Sequence, residues 1–297
     1  MGQITYQELL QDERMRFAIS IINSAYASDS LDRLGIQKPG LVRYYLPMEI
    51  RYLAGAERDP QRTVFGIVHT ADFCIVRDPD SPAYQANPYA GEIAFIRTLQ
   101  PGNVAAIDTP TSDEFPTDGE NGKKCGGVWG GLLTALSLSY GAVGAVINGP
   151  IRDTDQINRY FRDEPFDPRS LRSLEKALGD KASKANIKKI RTALLARGKF
   201  PIFGTGTLPT DSAFRVEAFR IAEPIKIGCV KIHDRNFIVA DNDGQVIIPN
   251  EIIRDVLEMI IEIDAGDKNV WADALTRLAG FHNDSIDDIV ARHGGHL

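Results

Sequence analysis

Residues 126–153 hold the residue types best suited to chemistry in this chain. The segment begins Gly-Gly-Val-Trp-Gly-Gly-Leu-Leu and ends Asn-Gly-Pro-Ile-Arg-Asp. Its glycine-rich start predicts a helix N-terminus, where backbone N–H groups lack intrahelical partners and attract anions. Glycines there also let a ligand approach the backbone closely. The final pair, Arg152 and Asp153, would add a fixed cation and a carboxylate able to hold a metal ion.

A helix over 128–140 and a fully apolar strand over 142–147 are expected to position these groups. If helix and strand lie side by side, the turn over 148–150 returns Arg152 and Asp153 to the helix start. Two plainer interpretations stay open at this point. An Arg-Asp pair after a turn is commonly a surface ion pair or the opening of a helix, and a glycine pair before a helix is commonly just a loop.

The rest of the pattern predicts a mixed α/β domain rather than a purely parallel doubly wound sheet. Helices are expected from Tyr6 and over 24–35, where Gly35 supplies the stop. The other expected elements are a short helix over 91–97 and strands over 63–70, 73–77, 104–108, 201–203, 226–232, 237–240 and 245–248. We expect one domain over 1–297, with a charged helical insertion over 161–199 and a helical tail over 250–297 that begins with an Asn250 cap.

Charge and composition exclude some classes of function. The 297 residues carry a formal net charge of -6, so a basic face for nucleic acid is not expected. The uncharged segment 126–151 is long enough to span a bilayer. Its many Gly, Ser and Thr residues, together with Asn148 and Pro150, favour a helix followed by a buried strand. We therefore expect no insertion into a membrane.

The cysteines and the N-terminus indicate a cytoplasmic location. The three cysteines, Cys74, Cys125 and Cys229, are too few and too scattered for a disulfide framework and are typical of a reducing compartment. The N-terminus lacks the apolar core of a signal peptide, and Tyr6 stands where a myristoylation signal needs Ser or Thr. No dinucleotide-binding, P-loop or Gly-x-Ser-x-Gly pattern occurs, and the five histidines lack zinc-site spacing.

Several motifs, taken in order, resemble the RraA-like family, in particular its class II 4-hydroxy-4-methyl-2-oxoglutarate/4-carboxy-4-hydroxy-2-oxoadipate aldolases. The central match is Gly-Gly-Leu-Leu at 130–133 with Asn-Gly-Pro-Ile-Arg-Asp at 148–153. Further matches are Ser-Asp-Ser-Leu at 28–31, Gln-Pro-Gly-Asn at 100–103, Pro-Ile-Phe at 201–203, Ile-Val-Ala-Asp-Asn-Asp-Gly at 238–244, and the tail segment 285–294. Together they are more specific than any one of them.

This resemblance implies a three-layer β/β/α core of the swivelling-domain type with added N- and C-terminal helices, assembled as a homotrimer or homohexamer. It also implies a divalent metal cofactor, magnesium or manganese, held by Asp153 largely with water. Arg152 would be the catalytic residue and would bond the keto or enolate oxygen of a small 2-oxo acid substrate. The carboxylate of that substrate would lie at the backbone N–H groups of Gly130, Gly131, Leu132 and Leu133.

Three positions depart from the family pattern. Gly131 stands where the aldolase relatives carry Asp or Glu, an acid expected to organise metal-bound water. Asn148 replaces the usual Asp at the strand end, and Asp234-Arg235 replaces the usual Gly-Asp. A further acid is expected from a neighbouring subunit, and its candidates here are Glu262, Asp264 and Asp267.

Two classes of function remain. The first is a metal-dependent lyase that cleaves 4-hydroxy-2-oxo acids to pyruvate or decarboxylates oxaloacetate. Both reactions leave a pyruvate enolate, which the metal, Arg152 and the helix N–H groups would stabilise. The second is a non-catalytic binding protein of the ribonuclease-inhibitor type on the same fold; Gly131 favours it, whereas Asp153 favours the lyase. The insertion over 161–199 would serve as a lid, as an interface or as plain surface decoration.

Overall fold

The computed structural model describes residues 3–37, 43–56, 59, 62–110 and 126–293. Most of the loop expected over 109–125 therefore lies outside the described residues, as does Cys125. Within the described ranges the elements follow the order of a mixed α/β chain. Among these elements, no helix is both long enough and apolar enough to cross a membrane.

One eight-stranded mixed sheet forms the centre of the fold. Its strands are β1 (Arg51–Ala54), β2 (Val64–Ile75), β3 (Asn103–Asp108), β4 (Gly144–Asn148), β6 (Ile202–Gly204), β8 (Val216–Ile221), β11 (Phe237–Ala240) and β12 (Gln245–Ile248). Their order across the sheet is β1-β6-β4-β3-β2-β11-β12, and β8 pairs with β2. Two small sheets join β5 (Pro150–Ile151) to β7 (Gly206–Thr207) and β9 (Ile225–Ile227) to β10 (Val230–Ile232).

The long strand β2 organises this sheet. Residues 67–72 pair in parallel with β3, residues 64–67 pair antiparallel with β11, and residues 71–75 pair antiparallel with β8. The two strands expected over 63–70 and 73–77 are thus one continuous strand. Its run of β-branched and aromatic residues suits a strand that is paired along its whole length.

Eleven α-helices lie in the described residues. They are α1 (Tyr6–Gln11), α2 (Glu13–Ile21), α3 (Ser24–Arg33), α4 (Pro82–Ala86), α5 (Ala90–Thr98), α6 (Gly131–Ser139), α7 (Thr154–Phe161), α8 (Pro168–Leu178), α9 (Lys184–Arg197), α10 (Ile253–Leu278) and α11 (Ile286–His293). Gly35 follows α3 with φ +68°, the left-handed conformation that a helix stop requires. Helices α8 and α9 lie in the charged segment 161–199 and bury none of their residues.

Alternation along β3 and β4 separates two faces of the sheet. Ala105 and Ile107 face a cluster shared with α5, α6 and α7, whereas Val104 and Ala106 face a cluster shared with the β9–β10 hairpin. Helices, central sheet and hairpin are therefore three stacked layers. The three-layer β/β/α core predicted from the sequence is confirmed.

The N- and C-terminal helices form a third hydrophobic cluster on the sheet. Helices α1, α2, α3 and the first half of α10 pack around Phe65, Phe237 and Ile248. The second half of α10 buries no residue after Gly266. The added terminal helices expected from the sequence are thus present, and they cover the part of the sheet that α5 and α6 leave open.

Three local predictions were wrong. The helix expected over 128–140 begins only at Gly131, because residues 128 and 129 are extended and pair with the backbone of β5. The strand expected over 226–232 is the β9–β10 hairpin, which turns at Gly228 with φ +59°. Asn250 does not cap α10; its side chain bonds the backbone of Ile4 instead, and a short 3₁₀ turn precedes the helix.

A buried carboxylate ties the terminal helices to the sheet and generates a stability prediction. Asp241 is 5% exposed and accepts hydrogen bonds from the N–H (2.7 Å) and the hydroxyl (2.6 Å) of Ser24 at the start of α3. Replacing Asp241 with Ala leaves these buried donors unpaired, so we expect a loss of about 3 kcal/mol in the free energy of unfolding, measured in urea. Asp243→Ala, at an exposed position two residues on, is the matched control and should change it by less than about 0.5 kcal/mol. Equal losses in both variants would contradict this account.

Candidate active site at the start of helix α6

Short backbone pairings position the Arg152-Asp153 pair. The N–H of Val128 donates to the carbonyl of Pro150 (2.9 Å), and the N–H of Arg152 donates to the carbonyl of Trp129 (2.8 Å). On its other side β5 pairs in parallel with β7. Backbone hydrogen bonds therefore join the segment that enters α6 to the segment that carries Arg152, and the Arg152-Asp153 pair lies at the start of the helix.

The carboxylate of Asp153 points at the N-terminus of α6. Its Oδ2 atom accepts a hydrogen bond from the N–H of Gly131 at 3.1 Å. The N–H groups of Leu132 and Leu133 have no hydrogen-bond partner within the described ranges. The first turn of α6 thus keeps donors for an anion, although the protein's own carboxylate takes one of them.

Gly130 is required at the point where the two segments meet. A Cβ atom at this position would lie 2.7 Å from Oδ2 of Asp153 and 3.1 Å from Cγ of Arg152. The first contact is closer than real Cβ atoms show, and the second is tighter than most real contacts. Any larger residue would push the ion pair away from the helix.

Asp153 itself adopts a conformation that is uncommon for a residue with a side chain. Its φ of +60° and ψ of 26° lie in the left-handed region, and α7 begins directly after it. Aspartate tolerates this region better than most residues, yet the conformation still costs on the order of 1 kcal/mol. The bond to Gly131 and the ion pair with Arg152 hold it there.

The guanidinium of Arg152 bridges two carboxylates. Nε lies 3.4 Å from Oδ2 of Asp153, and Nη1 lies 3.1 Å from Oδ2 of Asp211. The three side chains are 31%, 34% and 29% exposed, so a small solute can reach them. Arginine has five N–H donors, and two ion pairs leave donors for a bound oxygen.

Asp211 is a site residue that sequence reasoning missed. It lies in the loop between β7 and β8, far from Arg152 in sequence and within no motif that could have revealed it. The Tyr89 hydroxyl donates to the same Oδ2 atom at 2.7 Å. Burial alone would raise the pKa of Asp211, but the Tyr89 hydroxyl, the Arg152 charge and nearby backbone N–H groups together hold it below its usual value. Asp211 therefore stays ionised and anchors Arg152.

Gln156 is a second missed residue, on the first turn of α7. A Cβ atom at Gly131 would lie 3.0 Å from Oε1 and 3.1 Å from Cδ of Gln156. The amide Nε2 of Gln156 donates to the Tyr160 hydroxyl at 3.0 Å. The end of a neutral carboxamide thus lies where a side chain at position 131 would project.

Glu92 on α5 is a fully buried carboxyl group near Asp211 and Ser212. Neither of its oxygens has a hydrogen-bond partner within the described ranges. Burial raises its pKa from 4.5 to about 7; the charges of Glu217 and Asp211 add to the increase, and the nearby Ser212 hydroxyl partly offsets it. Glu92 is therefore mostly protonated in mildly acidic solution.

Other residues named from the sequence make no hydrogen bond or ion pair with Arg152 among the described residues. Asn148 donates to Asp108 at 2.8 Å, and Asp234 contacts His69 at 3.0 Å. The candidate acids of α10 lie on a helix that packs against α2 and α3, where Asp264 pairs with Lys268. No cluster of three or more His, Cys, Asp or Glu side chains able to hold a metal ion occurs among the described residues.

Comparisons with known proteins place this region in a family. Residues 61–162, which include β2 to β5, α6, α7 and the Arg152-Asp153 pair, match the RraA-like family model, described as Aldolase/RraA. Within residues 61–162 the chain is therefore similar to the RraA-like family, which confirms the RraA-like resemblance predicted from the motifs. The resemblance to class II aldolases in particular stays a prediction.

Other comparisons cover most of the chain. Protein DlpA of Legionella pneumophila is 25% identical over 241 residues, which cover 81% of this chain and 28% of that protein. An uncharacterized protein from Pseudomonas syringae pv. tomato has a TM-score of 0.59 at 17% identity, covering 97% of this chain and 99% of that one. Streptomyces coelicolor RraAS2, described as an unusual member of the RNase ES inhibitor RraA family, has a TM-score of 0.55 at 19% identity, covering 90% and 98%. At such identities the two structures establish the fold alone.

The crowding at Gly130 gives a direct test of this candidate site. In Gly130→Ala the new methyl group overlaps the Asp153 carboxylate, so we expect the free energy of unfolding to fall by about 1–3 kcal/mol. The matched control is Gly206→Ala in β7, where a Cβ atom meets nothing within 4 Å. We expect the control to stay within about 0.5 kcal/mol of the native protein in urea unfolding. Equal stability of the two variants would mean that the Arg152-Asp153 pair does not lie against the start of α6.

Glu92 gives a pH-dependent prediction. Its pKa is about 7 in the folded protein against an ordinary value of 4.5, so its contribution to stability is fully present below about pH 4.5 and is lost as pH rises through about 7. The loss amounts to about 3 kcal/mol. Glu92→Gln should remove this part of the pH dependence of urea unfolding between pH 4.5 and 8. The same substitution at exposed Glu175 should leave it in place, and a pH dependence that survives in Glu92→Gln would refute the assignment.

Proposed function

We propose that this protein is a divalent-metal-dependent lyase acting on small 2-oxo acids to release pyruvate. The observation that carries the proposal is the Arg152-Asp153 pair held against the N-terminus of α6. This arrangement joins N–H donors, a fixed cation and a carboxylate around one solvent-accessible point. These are the groups needed to bind a 2-oxo acid and to stabilise its enolate.

The substrate would bind through its carboxylate and the adjacent keto oxygen. Its carboxylate would accept hydrogen bonds from the N–H groups of Leu132 and Leu133, where the helix dipole favours a negative charge. The remaining donors of Arg152 would bond the adjacent keto oxygen. Asp211 and Tyr89 hold the guanidinium in place, so little reorientation is needed when the substrate arrives.

A divalent ion suits the carboxylate of Asp153. Asp153 is a hard oxygen donor, and its Oδ1 atom accepts no hydrogen bond in the described part of the chain. Magnesium is commonly held by one or two carboxylates, with water and substrate oxygens completing its shell. Bound in this way, the ion would act as a Lewis acid on the charge that develops on the substrate oxygens.

The residues of the chain supply the rest of the stabilisation. Cleavage of the bond between C3 and C4 of the substrate leaves an electron pair that becomes a pyruvate enolate. Arg152 and the N–H groups of Leu132 and Leu133 would stabilise this negative charge, and because the fold holds them in place, little reorganisation would be needed during the reaction. A lysine that forms a Schiff base is not needed.

The proposal includes the oligomeric state and the cellular location of the protein. A homotrimer or homohexamer would let a neighbouring copy present an acid from α10, where Glu262, Asp264 and Asp267 are the candidates. A cytoplasmic location agrees with the scattered cysteines. The chain spans 28% of the length of its curated relative, so a larger protein's activities are not carried over to it.

The proposal is tested by measuring pyruvate release. The protein is incubated with oxaloacetate or with 4-hydroxy-4-methyl-2-oxoglutarate and Mg²⁺ or Mn²⁺, and pyruvate is followed with a coupled dehydrogenase. We expect metal-dependent release from at least one substrate and a loss of about 10²-fold or more in kcat in Arg152→Ala and Asp153→Asn. Asn tolerates the left-handed backbone of position 153, so the second variant keeps the fold.

Arg14→Ala is the control, because it breaks a comparable surface ion pair, between Arg14 on α2 and Glu258 on α10. It should leave pyruvate release unchanged. If no pyruvate forms from either substrate with any metal, the lyase proposal fails and the binding-protein alternative gains support.

A further inference from the structure

His69 joins a hydroxyl to a carboxylate at a place that the proposed lyase reaction does not use. Its Nδ1 atom lies 3.0 Å from Oδ1 of Asp234, and its Nε2 atom lies 2.7 Å from Oγ1 of Thr98. The side chains of His69 and Asp234 are 12% and 20% exposed, and Thr98 is exposed at the end of α5. A hydroxyl, an imidazole and a carboxylate in such a chain form the arrangement that activates a nucleophile.

The fold holds the imidazole of His69 in one orientation. His69 lies on β2, opposite Ala105 of β3, and its ring stacks on the ring of Phe95 with the centroids 5.4 Å apart. Oδ1 of Asp234 also accepts the N–H of Thr70 at 3.0 Å. Burial alone would raise the pKa of Asp234, but the hydrogen bonds from His69 and Thr70 hold it below its usual value. Asp234 therefore stays ionised and accepts a proton-bearing Nδ1.

The ionised Asp234 determines which ring nitrogen of His69 carries the proton. Because Nδ1–H donates to Asp234, Nε2 is the atom that can accept the proton of the Thr98 hydroxyl. That hydroxyl also lies 2.6 Å from the carbonyl of Phe95, and rotation about the Cβ–Oγ1 bond moves its proton between the two acceptors. When the proton points at His69, Thr98 is a nucleophile in contact with its base.

A cavity of about 340 Å³ borders all three side chains, a size that suits a small ligand. Arg235 lines the same cavity, and its buried Nε atom has no hydrogen-bond partner among the described residues. Its backbone has a φ of +70°, a conformation that is uncommon for a residue with a side chain. An unpaired buried donor on a cation is costly, so a ligand with a negatively charged oxygen would complete this wall.

This cavity and the candidate lyase site lie at opposite ends of the parallel strands. Asn103, the first residue of β3, lines the cavity, whereas the Arg152-Asp153 pair follows the last residue of β4. Strands β3 and β4 run in the same direction. Asp234 and Arg235 are also the pair that departs from the family pattern, so the family resemblance does not predict this arrangement. The inference that follows does not depend on the proposed lyase function.

We propose that Thr98, His69 and Asp234 form a second catalytic site, which hydrolyses small carboxylic esters that carry a negatively charged group. Oγ1 of Thr98 bonds to the ester carbonyl carbon while its proton passes to Nε2 of His69. The bond to the alcohol then breaks, and the alcohol leaves with that proton. Water next attacks the acyl group and gives a proton to His69, the acid is released, and Thr98 recovers its proton. Arg235 would pair with the negative group of the substrate.

The test measures the hydrolysis of two probes, 4-nitrophenyl acetate and the mono-4-nitrophenyl ester of succinic acid, by the release of nitrophenol. We expect the native protein to hydrolyse both, with a lower KM for the negatively charged ester. Thr98→Ala and His69→Gln should each lower kcat by at least about 10²-fold, the contribution of an activated nucleophile and its base. Thr98→Ser keeps the hydroxyl and should keep the activity.

Two further variants separate orientation from binding. Asp234 is a positioning residue, so Asp234→Asn should lower kcat and leave KM unchanged, because His69 then loses the acceptor that fixes its tautomer. Arg235→Gln should raise the KM of the succinate ester and leave that of the acetate ester unchanged. Urea unfolding of each variant shows that it is folded.

The chain offers a matched control in Thr276 and His282. Oγ1 of Thr276 lies 3.0 Å from Nε2 of His282, a distance close to that between Thr98 and His69. The N–H of Asp284, however, donates to Nδ1 of His282 at 3.3 Å, which leaves the ring proton on Nε2. His282 therefore cannot accept the proton of the Thr276 hydroxyl, and Thr276→Ala should not change the hydrolysis of either ester.

The acyl intermediate gives the most direct result. Mass spectrometry of the native protein quenched during turnover should find an acyl group on Thr98, and none should form in Thr98→Ala. Acylation of another residue, hydrolysis that persists in Thr98→Ala, or native protein that hydrolyses neither ester would overturn the inference. Equal KM values for the two esters in the native protein would overturn the assigned substrate class.

Discussion

The contact between the Asp153 carboxylate and the N-terminus of α6 is the interaction on which the site depends. It brings an acid, a helix dipole and, through Arg152, a cation to one point at the protein surface. The left-handed backbone at Asp153 persists only because these partners hold it. Glycine at position 130 allows this contact, since a Cβ atom there would displace the side chains of Asp153 and Arg152.

The fold produces this contact through the order of its strands. Strands β3 and β4 are parallel neighbours, so the chain between them must cross back over the sheet, and α6 forms part of that crossover. The segment after β4 then pairs through β5 with the residues that precede α6. In open α/β sheets, sites commonly form outside the carboxyl ends of the strands, and Asp108 and Asn148 mark those ends here.

The sequence was most informative where a single physical requirement dominates. Strands β11 and β12 were predicted with their observed bounds, because apolar runs flanked by turn residues leave few alternatives. The start of α6 was placed too early, since Val128 and Trp129 look helical by composition but pair with β5. The composition of a short segment does not reveal a strand partner that follows later in the chain.

The candidate site likewise has residues that local motifs revealed and residues that they did not. Arg152, Asp153 and the first turn of α6 were named from local motifs, and the structure brings them together. Asp211 and Tyr89 were missed because a distant loop and the residue before α5 supply them, and Gln156 was missed because only the fold shows that its side chain reaches Gly131. Their roles follow from tertiary packing alone: two of them orient the cation, and the third keeps the helix start neutral.

The most direct measurement of the central claim is a crystal structure of the protein soaked with Mn²⁺ and oxalate, an analogue of the pyruvate enolate. The account predicts oxalate with one carboxylate on the N–H groups of Leu132 and Leu133, a guanidinium contact from Arg152, and the metal on Asp153. Oxalate bound elsewhere, or bound here with Arg152 and Asp153 turned away from it, would contradict the account.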